Sequence, residues 1–293
     1  MLRKIWLPAA LAALLIFTIL AASGCAGFGV GQTGPTRTAE LSLDYPAGAQ
    51  TPTLVLSLGA AKLQAVADAE KLLEGTVHYN VVGLAPETVV NGSRQEVRQT
   101  SNVNPVDMIN DWDLHLGTSR PLRLEINAGA YEGDWDLGGI PLQELTVNQG
   151  ASSSTFDFSQ PNSERMSRLV FRTGAASLKL KHLLNANFDR MSFEGGASAY
   201  TLDFGGRLQR DAQVEVKAGL SDLTLIIPAD VAAQVIVRQA VTSVNADYNF
   251  SHRNDSYVTP AWEQGAGPRL TIDLTLGLGT INLRTAAEAG SSK

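Results

Sequence analysis

LTVNQG (145–150), LVFRTG (169–174), MSFEGG (191–196) and VEVKAG (214–219) recur at nearly even spacing, and each reads apolar-x-apolar-x-x-Gly. Alternation with period two puts Leu145 and Val147 on one face of an extended segment and Thr146 and Asn148 on the other, which predicts half-buried β-strands. Working outward, the cassette occurs eight times, the others being LVLSLG (54–59), LEINAG (124–129), VIVRQA (235–240) and IDLTLG (272–277). Ala240 stands for glycine in one of them. From Gly129 through Gly150, Gly174, Gly196 and Gly219 to Ala240 the steps are 21, 24, 22, 23 and 21 residues. After most glycines comes a second alternating segment: WDL (135–137), FDF (156–158), LKL (178–180), LDF (202–204), LTL (223–225) and INL (281–283). Each repeat therefore supplies two short strands, with glycine expected to provide a positive φ or a tight corner between them.

A repeat of this length cannot enclose its own apolar face, so successive repeats should stack in parallel and share one core. The fold class this predicts is all-β: a single-stranded parallel β-solenoid, β-helix-like, with two inserted hairpins. Equivalent positions then line up, and Ile126, Val147, Phe171, Phe193 and Val216 should form one buried column. Outward charges should form ladders, one of Arg172, Glu194 and Lys217 and another of Asp157, Lys179 and Asp203. Two segments break the period. Residues 75–123 contain a hairpin signal, TVV (88–90) turning at Asn91-Gly92 and returning through RQEVRQ (94–99). Residues 247–269 carry Tyr248, Phe250, Tyr257 and Trp262, and are read as a hairpin capping the solenoid end rather than as an aromatic contact surface.

The cassettes from Leu54 to Leu283, the segment WDLHLG (112–117) and the phrase EINAGAYEGDWDL (125–137) resemble the bacterial toast-rack domain. That domain is similar to the C-terminal domain of cell-wall-active-antibiotic response proteins. The resemblance implies an extracytoplasmic β-solenoid, sometimes linked to envelope-stress signalling, with no family catalytic residues to carry over. Those regulators have membrane-spanning helices. This chain instead opens with a lipoprotein-like start.

Residues 1–24 have a basic head, Arg3 and Lys4, then an apolar stretch from Ile5 to Ala22, then Ser23-Gly24 before Cys25. This reads as an export signal. Small residues before cysteine resemble the bacterial lipobox, in which the thiol takes a diacylglyceryl group and becomes the new N-terminus, although Ala22 stands where that pattern prefers leucine. The alternative is an uncleaved signal anchor, since the apolar stretch is just long enough to span a bilayer. Both place the rest of the chain outside the cytoplasm. Residues 25–37 are read as a lipid-anchored, Gly-rich tether and residues 38–293 as the solenoid domain.

Composition narrows the function. The net charge is −6, and without residues 1–24 the chain holds 21 basic against 29 acidic side chains. An acidic surface argues against nucleic acid as a partner. With one cysteine, neither an intramolecular disulfide nor a multi-thiolate metal site can form. The four histidines, His78, His115, His182 and His252, fall in different repeats or insertions, with no pair four residues apart. Carboxylates cluster at Glu132, Asp134 and Asp136 and at Asp111 and Asp113, a pattern that raises calcium or a glycosidase pair. Alternating acids on a strand are more simply a solvated face, and no nucleophile elbow, phosphate loop or dinucleotide fingerprint is present. The expectation is a non-catalytic envelope lipoprotein without cofactor, a scaffold or binding module for an envelope protein or cell-wall polymer in envelope maintenance or stress response. The rival reading is a carbohydrate-active parallel β-helix.

Overall fold

In the computed structural model, residues 33–48, 50–99, 106–238, 241–265 and 267–286 are described. They form one 21-stranded, mostly parallel sheet. The strands are β1 (Arg37–Leu43), β2 (Thr53–Leu58), β3 (Ala61–Ala69), β4 (Leu73–Tyr79), β5 (Glu87–Asn91), β6 (Arg94–Arg98) and β7 (Asn110–Gly117). The central coils follow as β8 (Leu122–Ala128) with β9 (Tyr131–Asp136), β10 (Leu142–Gln149) with β11 (Ser152–Asp157), β12 (Arg168–Thr173) with β13 (Ala176–Lys181), and β14 (Arg190–Gly195) with β15 (Ser198–Asp203). Then come β16 (Ala212–Ile227), β17 (Ala232–Val237), β18 (Val241–Ala246), β19 (Ser251–Arg253), β20 (Ser256–Val258), the short helix α1 (Pro260–Gln264) and β21 (Arg269–Thr285).

The first strand of each coil stacks on the first strand of its neighbour. Val147 pairs with Ile126 and with Phe171, Phe171 with Phe193, and Phe193 with Val216, so the expected column is present in register. It continues through Leu56 on one side and Leu274 on the other, and none of these side chains is more than 1% exposed. A second column faces it from the second strands: Trp135, Phe156, Leu180, Leu202, Leu225 and Leu283. Trp135 and Phe156 stack at 5.5 Å, and Phe156 meets Phe171 edge-on at 5.2 Å, so the two columns close into one core. Phe193 also packs edge-on against Tyr200 at 5.1 Å. Phe193→Ala should cost ~3–5 kcal/mol in a denaturant titration, the range for deleting a buried phenyl. A loss under about 1 kcal/mol would contradict its place in the core.

After β11 and after β13 the coil closes through a third, irregular side that carries the buried asparagines Asn162, Asn185 and Asn187. Asn162 Oδ1 accepts the Leu142 N–H at 3.2 Å while its amide donates to the Leu142 carbonyl at 2.8 Å, tying one coil to the last. Asn187 Nδ2 donates to the Glu164 carbonyl at 2.8 Å in the next coil along. These bonds brace the start of β10 at Leu142 and satisfy the Glu164 carbonyl, which lies between strands.

Two expectations need correction. Of the two roles expected for the cassette glycines, the corner is present, with Gly129, Gly150 and Gly174 at the bend between the two strands of their coils, but positive φ is not: none of Gly129, Gly150, Gly174, Gly196, Gly219 and Gly277 adopts it. They are small because they stack, each Cα lying under the carbonyl of the preceding glycine, where a Cβ would fall 2.7–3.3 Å from that oxygen. Positive φ is used instead at Gly139 (85°) and Gly206 (95°), at the corner after the second strand. The second charge ladder is displaced: Asp157 pairs with Lys181, and Lys179 lies between Thr155 and Thr201. The first ladder keeps its register, yet Lys217 Nζ binds Glu215 on its own strand at 2.5 Å.

Stacking order also departs from sequence order at both ends. In 75–123 the Asn91-Gly92 hairpin forms, β5 pairing antiparallel with β6, but β6 and β7 then build a further coil on the outer side of β2 and β3. The chain crosses back, and β8 and β9 stack on the inner side. At the other end β17 and β18 do not touch β16. The last strand, β21, inserts between them, parallel to all three. The hairpin β19–β20 in 247–269 covers the free edge of β17, as capping requires, while β5 covers β6 and the antiparallel pair β4–β1 covers β7.

Candidate functional site

Cys25 lies outside the described residues. The acids singled out in the sequence are brought into rows but not into a metal cage. Glu132 and Asp134 face outward from β9, with Lys62 opposite Glu132 and Gln64 opposite Asp134. Asp136 does neighbour Asp157. Each has its own partners: Asp136 Oδ1 accepts from the Gly138 N–H at 2.9 Å and the Ser159 hydroxyl at 2.6 Å, whereas Asp157 Oδ1 lies 2.7 Å from His182 Nδ1. Asp203 repeats the turn of Asp136 by accepting the Gly205 N–H at 2.8 Å. Asp136 and Asp203 thus act as corner caps, bonding the backbone two residues on.

Asp111 and Asp113 face outward from β7, opposite Lys62 and Gln64 on one side and His78 and Thr76 on the other. The histidines stay apart. His78 Nδ1 lies 3.0 Å from the Thr38 hydroxyl, His115 Nδ1 lies 2.6 Å from Asp68, and the His252 ring stacks on Tyr257 at 4.5 Å. Among the described residues, no three His, Cys, Asp or Glu side chains come together as a metal would need.

The structure instead makes grooves on the outward face of the first strands. One, of about 1230 Å³, runs over the glycine stack and is edged by Ser57, Asn127, Asn148, Arg172, Glu194 and Lys217, one from each successive coil. Its polar edge is linked across coils, with Asn148 Nδ2 donating to Asn127 Oδ1 at 2.9 Å and Arg172 to Asn148 Oδ1 at 3.3 Å. Near its end sits Glu125. Burial opposes its ionised form, but hydrogen bonds from Asn127 and from the Arg94 guanidinium at 3.0 Å outweigh that and hold its carboxyl below the ordinary range. A second groove, of about 830 Å³, lies across β12, β14, β16 and β21 and contains Arg168, Arg172, Arg190 and Arg238. Sequence reasoning missed it, although arginine stands immediately before LVFRTG and before MSFEGG.

This architecture agrees with the comparison to known families, in which the N-terminal domain of toast_rack, DUF2154, matches residues 31–181, just over half of the chain. The chain belongs to the toast-rack family. No curated protein matches it. Among solved structures, a toast-rack-like neighbour is a candidate cell adhesion protein from Clostridium sporogenes, at 20% identity and TM-score 0.52 over 86% of this chain and all of that one. Candidate adhesins from Bacteroides fragilis (10% identity, TM-score 0.37, 85% of this chain and 97% of that one) and Parabacteroides merdae (8%, 0.37, 85% and 96%) also match. At 20% identity the likeness to the Clostridium sporogenes protein is one of fold. The toast-rack coils of this chain continue through β21, well past the matched residues.

Proposed function

We propose that this toast-rack chain is a non-catalytic cell-envelope lipoprotein, held to a membrane through Cys25, that serves as a scaffold or binding module in envelope maintenance or stress response. The observation that carries the reading is the outward face. It offers ordered rows of polar side chains along a stiff parallel stack, while its acids and histidines serve as corner caps and isolated pairs. General acid-base or nucleophilic chemistry needs two groups converging on one substrate atom, and these rows diverge along the solenoid. An apolar export signal, a small-residue approach to Cys25 and a Gly-rich spacer support extracytoplasmic anchoring. Cross-linking in intact cells followed by identification of captured envelope components tests the binding role. New reducing ends or unsaturated products from a polysaccharide incubated with the protein would overturn the non-catalytic part. Cys25→Ser should move the protein from the membrane fraction to the soluble or secreted one; a membrane-bound variant with its signal segment uncut would instead favour a signal anchor.

A further inference from the structure

We infer that the groove across β12, β14, β16 and β21 binds a linear, hydroxyl-rich polymer that carries regularly spaced anionic groups. The inference deepens the binding-module reading and rests on it for where such a polymer would be met.

Arg168 and Arg190 stand on adjacent parallel strands, each one residue before the paired Leu169 and Met191, and both are exposed. Parallel strands are about 4.8 Å apart, so two like charges sit side by side, an arrangement that opposes folding unless something neutral or anionic is placed between them. The described residues do not supply that group. Among the described residues, neither guanidinium has an ion pair or a side-chain hydrogen bond. The acid nearest in the same row, Glu144, opposite Arg168, is bound by Arg123 at 3.2 Å. The groove's own carboxylates are also committed: Glu215 holds Lys217 at 2.5 Å, and Asp273 holds Arg238 at 2.7 Å. Arg238 is answered by Asp273 and Arg172 lies 3.6 Å from Glu194, which leaves Arg168 and Arg190 as a local cationic pair on a chain whose net charge is −6. A local basic pair on an acidic molecule focuses an anionic ligand onto one place.

The rest of the lining argues for a polymer of hydroxylated units rather than a simple ion. Val170, on the same outward face between Arg168 and Arg172, is only 2% exposed, so the groove presents polar side chains around a covered apolar position. Ser192 and Gln213 line the same groove and make no side-chain hydrogen bond to another described residue, leaving a hydroxyl and an amide for ligand hydroxyls. A sugar or polyol unit can hydrogen-bond these two groups through its hydroxyls while a carboxylate or phosphate engages a guanidinium fork in two parallel hydrogen bonds. Because Arg168 and Arg190 are offset along the solenoid axis, the chain of units would run along that axis, across the strands.

The experiment is a titration of the full-length protein in detergent with two probes, an oligogalacturonate for carboxylate-bearing units and poly(glycerol phosphate) for phosphodiester units, against neutral dextran. Binding of at least one anionic probe, none of dextran, and weakening as salt is raised are expected. The variant Arg168→Gln/Arg190→Gln should lose at least tenfold in affinity while its Tm stays level or rises, because the like-charge contact is gone. Which probe binds assigns the anion. The charge-matched variant Arg37→Gln/Arg207→Gln, whose exposed arginines lie outside the groove, should bind as the wild type does. The inference is overturned by equal binding in the groove variant, by equal loss in the control variant, by a Tm drop of several degrees in the groove variant, or by binding confined to anionic phospholipid vesicles. Absence of binding to either polymer would also overturn it and would leave the module reading standing if cross-linking still captured an envelope protein.

Discussion

Gly196→Val should be among the most damaging single substitutions in this protein, lowering Tm by roughly 6–12 °C for a cost of ~3 kcal/mol or more. A Cβ at Gly196 would meet the Gly174 carbonyl oxygen at 2.7 Å and its carbon at 3.2 Å. Both are backbone atoms at the corner that directly follows β12, a strand held by ladders on its two sides, so the clash cannot be relieved by turning a side chain. Relief requires moving coils apart, which sacrifices the Thr173–Gly195 pairing and the 3.0 Å bond from the Gly196 N–H to the Thr173 carbonyl. Substitution at Gly92 is the contrast: φ is 58° there and nothing lies within 4 Å, so Gly92→Asn should cost roughly 1 kcal/mol or less. Thermal unfolding of the two variants checks the pair. Equal, small effects would mean that the coils are not in close backbone contact along the glycine row.

Ending the chain at Gly267, before β21, should release β17, β18 and β20 from the sheet while the central coils stay folded. Leu270, Ile272, Leu274, Leu276, Ile281 and Leu283 are each no more than 1% exposed. At ~1.5–3 kcal/mol per buried aliphatic side chain, their removal withdraws on the order of 10 kcal/mol, comparable with the whole stability of an ordinary domain. The loss is not spread evenly. Because each coil leans only on its neighbours, β8 to β13 keep their partners, whereas β17 and β18 lose the one parallel strand that joins them to the stack. Hydrogen exchange should show fast amides in β17, β18 and β20 against protected amides in β10 and β12; retained protection in β17 would mean that it docks directly on β16.

The arginine pair shows where legibility of the site stopped. That Arg168 and Arg190 share a slot follows from the spacing of their cassettes, and could have been read. That no carboxylate answers them could not, since Glu144, Glu215 and Asp273 are each nearby in the rows and are committed elsewhere only through side-chain geometry. The same limit applies to the acids of β9. Their alternation put Glu132 and Asp134 on the open face, but the occupation of Asp136 needs both a local Gly138 N–H and a Ser159 hydroxyl one coil away, and the second follows only from stacking.

Alternation and an even glycine spacing sufficed to assign parallel coils, their inward columns and the all-β class, because a strand's facing is a local property that any period-two pattern carries. The displaced ladder marks the edge of that information. Leu178 and Leu180 both point inward, so a slip of two residues keeps every apolar side chain buried, and only the observed pairing of Phe156 with Leu180 selects Lys181 over Lys179 as the partner of Asp157. Coil order lies beyond it altogether. The cassettes are near-equivalent by pattern, so IDLTLG can dock against VEVKAG or VIVRQA with the same facing. Which contacts form is decided by the reach of the connecting segments and by which open edges the hairpins can cover, and those are properties of the assembled stack.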